Sequence, residues 1–131
     1  MHGSLKTNSF DQVSEVLRAY CDGIYSGDVE GLRSAFHASA ILWGEVKGQP
    51  YYRPLDEYLT VVCGRESPRA LGEGYGMKIL AIEMQGNIAL AKVRCRMLGY
   101  NYIDFLSLLY QDNRWGIVAK VFTHLDSPEG G

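Results

Sequence analysis

Few side chains in this 131-residue chain combine a reactive type with a position able to bury it, and Asp104 comes first. It lies in YIDFLSLLY, where strand alternation groups it with Tyr102, Leu106, Leu108 and Tyr110 on one face. A carboxylate on an otherwise apolar inward face has its charged form disfavoured by desolvation, which is what a general base working near neutral pH requires. The same placement also suits a structural role, with Asp104 bonded to a helix amide or a tyrosine hydroxyl, because buried charges are normally paired. Asp104→Asn is expected to tell these apart, harming ligand binding or turnover more than thermal stability if the carboxylate is functional.

His37, in FHASA, is the second candidate. It suits a capping role at the following turn or, if folding brings it to Asp104, an acid–base dyad. Tyr20, Trp43, Tyr58, Tyr75, Tyr102 and Met97 are candidate ligand-binding residues. Aromatic walls with a few polar tips suit a flat, partly polar molecule, although Tyr20 and Tyr58 lie on helical stripes that also fit core packing. The histidines His2, His37 and His124 and the cysteines Cys21, Cys63 and Cys95 lack metal-ligand spacing, so no metal is expected. P-loop, GxGxxG and GxSxG motifs are absent, and no cofactor is expected.

Composition narrows the remaining classes. A formal net charge of −2 supplies no broad basic field, which argues against nucleic acid or an anionic membrane as partner. No apolar run approaches a membrane span and MHGSLKTNSF lacks a signal-peptide core, so the expected location is the cytoplasm. The length suits one domain over 1–131, with 1–8 and 125–131 as flexible tails.

Three helices and a run of strands must position these residues. Ser9 and Gln12 have capping-box spacing, and Val13, Val16, Leu17, Tyr20 and Ile24 form one helical stripe that Gly27 ends. Asp28 caps a short second helix reaching about Phe36. Ala40 to Val46 reads as a strand, KGQP as a turn, and Tyr51 to Arg53 as extended chain. Pro54 opens a third helix, LDEYLTVVC, which Gly64 terminates. After a loop at 65–74, four strand-like segments follow at about 75–84, 88–98, 102–110 and 115–124.

Two turns set the expected faces. Pairing Gln111 with Arg114 across Asp112-Asn113 sets Asp104 and Leu106 with Trp115, Ile117, Ala119 and Val121 toward the helices. Phe105, Leu109, Val118, Lys120 and Phe122 then fall on the outer face. Pairing Leu98 with Asn101 across Gly99-Tyr100 adds Ala91, Val93, Cys95 and Met97 to the inner set and Arg94 to the outer one. The first strand stays open, because QGN can serve as a two- or three-residue loop. Helices followed by a meander argue for an α+β domain, three N-terminal helices packed on a strongly curved antiparallel sheet. An outer face this apolar needs a cover, and a second copy would provide it.

Four stretches, YCDGIYSGDVEGLRSAFHASAIL, GNIALAKV, DFLSLLY and RWGIVAKVF, resemble the nuclear-transport-factor-2-like superfamily. Within it the chain is similar to bacterial lumazine-binding-like and SnoaL-like proteins. The resemblance implies a cone-shaped fold, a homodimer built on the outer sheet faces, and a pocket for a small heterocycle. It leaves open an isomerase, cyclase or dehydratase using Asp104 as base, or an interaction module with a closed pocket. Arg94, Phe105, Leu109, Val118, Lys120 and Phe122 are the expected dimer-interface residues.

Overall fold

The computed structural model describes residues 9–125. Three helices, α1 (Ser9–Ser26), α2 (Val29–Ala35) and α3 (Leu55–Gly64), pack on a curved six-stranded sheet. The strands are β1 (Phe36–Val46), β2 (Gln49–Pro54), β3 (Met77–Gln85), β4 (Ile88–Met97), β5 (Tyr100–Gln111) and β6 (Arg114–His124), ordered β2-β1-β6-β5-β4-β3. The α+β expectation holds, but the sheet is mixed, because β1 lies parallel to β6 while every other pair is antiparallel. The segments expected as tails lie outside the described residues except for Leu125, whose N–H donates to the Asn101 carbonyl at 2.9 Å. No helix among the described residues is long and apolar enough to cross a membrane.

Local sequence accounts for most of these elements. Val13, Leu17, Tyr20 and Ile24 are buried along one side of α1, each aliphatic side chain contributing about 1.5–3 kcal/mol by leaving water. Gly27 (φ +68°) breaks α1, and Asp28 caps α2 by accepting from the Gly31 N–H at 3.0 Å. Pro54 takes the N-cap position of α3, one residue earlier than expected.

The β5–β6 turn forms as expected, with Asp112 and Asn113 both at positive φ and Gln111 paired to Arg114. The β4–β5 turn sits on Leu98-Gly99, not Gly99-Tyr100, so that glycine fills the second of two positive-φ positions and Tyr100 is spared. That moves the register by two residues and preserves every face: Val93 lies opposite Asp104 and Cys95 opposite Tyr102. Gly86-Asn87 closes β3–β4 as a two-residue loop, with Met77 and Ile79 opposite Cys95 and Val93.

A bulge in β6 corrects the expected faces. Leu108 pairs with Ile117 but Ser107 pairs with Ala119, leaving Val118 as an extra residue. One extra residue reverses the alternation beyond it. Leu106 therefore faces Lys120, Asp104 faces Phe122, and Val121 turns outward opposite Phe105. Lys120 and Phe122, expected on the outer face, are buried on the inner one, and Val121 is 52% exposed.

Candidate functional site

Between the sheet and the C-terminal ends of α1 and α3 lies a cavity of about 110 Å³. Tyr51, Tyr58, Tyr102, Phe122 and Met97 supply most of its wall, and Arg65, Cys95, Asp104 and Lys120 supply its polar and charged groups. Each arrives by a simple route. Asp104 and Tyr102 come from the inner face of β5, Lys120 and Phe122 from β6 beyond the bulge, and Tyr58 from the buried stripe of α3. Gly44 makes room for Phe122, since a Cβ there would stand 2.4 Å from its ring.

Asp104 is 1% exposed, and its two oxygens differ sharply. Oδ2 accepts from the Tyr20 hydroxyl at 2.5 Å and from the Cys95 thiol at 3.6 Å, and stands 3.9 Å from Lys120 Nζ. Oδ1 is buried and has no hydrogen-bond partner among the described residues. Arg65 Nη2 is in the same condition.

Electrostatics fix the donors. Burial first, then the Asp104 charge, holds the Tyr20 phenol well above its ordinary value, so Tyr20 remains a donor. The same two causes push the Cys21 thiol up to about 12 and raise Cys95 further. For Lys120 burial is the largest influence and works against the ammonium, but Asp104 together with Tyr58 and Cys95 more than offsets it and the net movement is upward. The ammonium also lies 4.9 Å from the Tyr58 ring centre, 5.2 Å from Phe122 and 5.3 Å from Tyr20, within cation–π range.

The candidate residues divide clearly. Tyr58, Met97, Tyr102 and Asp104 line the cavity, and Tyr20 supports it from behind through Asp104. Trp43 does not, because alternation along β1 turns it outward, where it is 51% exposed and stacks on Tyr52 at 4.4 Å. Tyr75, also about half exposed, packs on Tyr25 and donates to Asp22 at 2.8 Å. His37 is held apart from Asp104: its Nε2 bonds the Leu109 carbonyl at 3.0 Å, five residues, or about 17 Å of extended strand, further along β5. A His37–Asp104 dyad therefore does not form. Arg94, Phe105, Leu109 and Val118 stay outside the inner core as expected, Phe105 being 50% exposed. Sequence reasoning missed Lys120 and Arg65 as cavity residues. The signal for Lys120 was indirect, since a buried Asp104 needs a cation on its own face.

Residues 8–123 match the profile of a family described as "Putative lumazine-binding". The chain belongs to that family. Solved structures agree on the fold of this lumazine-binding-type domain. An NTF2-like protein of unknown function from Methylobacillus flagellatus KT is 26% identical, with 90% of this chain and 93% of that one covered and a TM-score of 0.81. Another from Shewanella baltica OS155 is 22% identical, over 92% and 97% of the two chains, with a TM-score of 0.78. A third, from Silicibacter pomeroyi DSS-3, is 21% identical over 92% and 98%, again at 0.78. No curated protein of assigned function matches the chain significantly.

Proposed function

We propose that this protein binds a small, flat, partly polar molecule in the inner-face cavity, with a heterocycle of the lumazine kind as the ligand class that its family description suggests. The observation that carries this reading is Asp104 Oδ1, a buried acceptor without a partner among the described residues, in a residue that lines an aromatic-walled cavity. Leaving a buried polar atom unsatisfied costs about 1–3 kcal/mol, a cost that a ligand donor would remove. The cavity is smaller than the roughly 300–1,000 Å³ usual for ligand pockets, so it holds one end of the ligand and the remainder meets the rim. Native mass spectrometry of freshly purified protein, set against the denatured sample, tests this. One reproducible small mass per chain supports it. A protein that carries no such mass and takes up no added heterocycle contradicts it.

The reading includes a homodimer. A row runs across the outer face from Tyr52 through Trp43, Val121 and Phe105 to Lys92, four exposed apolar residues in successive strands. With Arg94, Leu109 and Val118 they form the proposed contact, Val121 and Trp43 taking the places expected for Lys120 and Phe122. Sedimentation at micromolar concentration should give a dimer that Phe105→Glu dissociates, and a monomeric wild type would remove this part.

One observation favours catalysis as a second reading. Lys120 supplies the positioned cation that proton abstraction by Asp104 needs beside a substrate carbonyl. Turnover of a bound carbonyl compound, lost in Lys120→Met under conditions where circular dichroism shows that variant still folded, is the outcome that would establish it.

A further inference from the structure

The polar residues that line the cavity limit what its ligand can present, and this step rests on the binding reading above. Asp104 Oδ2 is occupied by Tyr20, Cys95 and Lys120, whereas Oδ1 has no partner among the described residues in a side chain that is 1% exposed. A carboxylate oxygen only accepts, so the group that meets Oδ1 must donate. Lys120 and Arg65 set the opposite demand. Lys120 has an ion pair and three ring contacts but no hydrogen bond among the described residues, and Arg65 Nη2 is likewise without one. Ammonium and guanidinium groups only donate, so the ligand must also accept.

We infer that the buried end of the ligand is a neutral planar group with a hydrogen-bond donor beside an acceptor, as in a lactam or cyclic imide, and that neither a carboxylate nor an ammonium is taken there.

Each charged alternative meets only half of the site. A carboxylate would satisfy Lys120 and Arg65 but set its lone pairs against Oδ1. An ammonium would satisfy Oδ1 but stand beside Lys120, whose protonated form Asp104 favours. Adjacent N–H and C=O groups answer both demands at once. The rings of Tyr51, Tyr58, Tyr102 and Phe122 offer flat apolar surface to either side of such a group. A volume of about 110 Å³, the liquid share of about three or four waters, confines the enclosed part to a single small ring.

Four probes separate the possibilities on the wild-type protein: 2-pyridone, N-methyl-2-pyridone, benzoate and benzylamine. Affinities come from calorimetry, and amide shift changes at Asp104 and Lys120 place each probe in the cavity. The expected result is that 2-pyridone binds about tenfold or more tightly than its N-methyl form, which keeps the carbonyl but loses the donor. It should exceed both charged probes by at least as much. If the N-methyl compound binds as well as 2-pyridone, or if benzoate or benzylamine binds more tightly in the cavity, the donor–acceptor assignment is wrong while the pocket stands. If no probe moves the cavity amides, the binding reading fails together with it.

Discussion

The strand pair β5–β6 has two halves, divided by Val118, that share one inner face and differ in everything that face does. On the turn side, Leu108, Ile117 and Trp115 pack tightly, and the buried His37 there is satisfied by the Leu109 carbonyl. Beyond the bulge the same face carries Asp104, Lys120 and Phe122, a cavity, and a buried carboxylate oxygen with no partner among the described residues. The first half closes the core. The second opens it, and a single inserted residue marks the change. Hydrophobic packing needs no lysine here, and isolated buried ion pairs add little stability over apolar groups of similar volume. The contrast therefore identifies the half beyond the bulge as the part shaped by something other than folding.

Lys120→Met should have the largest effect on this contrast, at about 3–5 kcal/mol, because it leaves the Asp104 charge buried without its cation. A loss below about 1 kcal/mol would show that the pair is not coupled. This coupling also corrects the expectation for Asp104→Asn, which strips Lys120 of its anion and so cannot by itself separate binding from stability.

The smallest and most gradual effect is on pH. The Cys21 thiol moves from 9.0 to about 12 in the folded protein, and Lys120 also moves upward. The folded state thus holds protons that the unfolded chain releases as pH rises past 9.0 for Cys21 and past 10.5 for Lys120, so both groups stabilise it fully below 9.0 and the Cys21 contribution is lost as pH rises through about 12. The melting temperature should fall across that window, and a flat profile would contradict the burial assigned to these groups.

Much of this was legible in the chain. The α1 stripe, the Asp28 cap and the Asp112-Asn113 turn each rest on local rules that tertiary structure left intact. Asp104 was found because a single carboxylate interrupts an alternating apolar face. Lys120 was assigned to the wrong side because alternation propagates any error in register, and the run Ile117-Val118-Ala119 is apolar at every position, so neither parity is disfavoured. Trp43 and Tyr75 were overvalued for their type, since an aromatic ring suits an outer face or a loop contact as well as a pocket. The parallel pairing of β1 with β6 is a long-range choice on which hairpin spacing carries no information.

The central claim is that Asp104 and Lys120 are kept for a ligand and not for the fold. Urea denaturation of the triple variant Tyr20→Phe, Asp104→Leu, Lys120→Met tests it, because it removes Asp104 together with the hydroxyl and the ammonium that meet its Oδ2. A cooperative unfolding transition with stability within about 1 kcal/mol of the wild type, or higher, is expected. A loss of about 3 kcal/mol or more would show that the cluster holds the fold together, and would return Asp104 to a structural role.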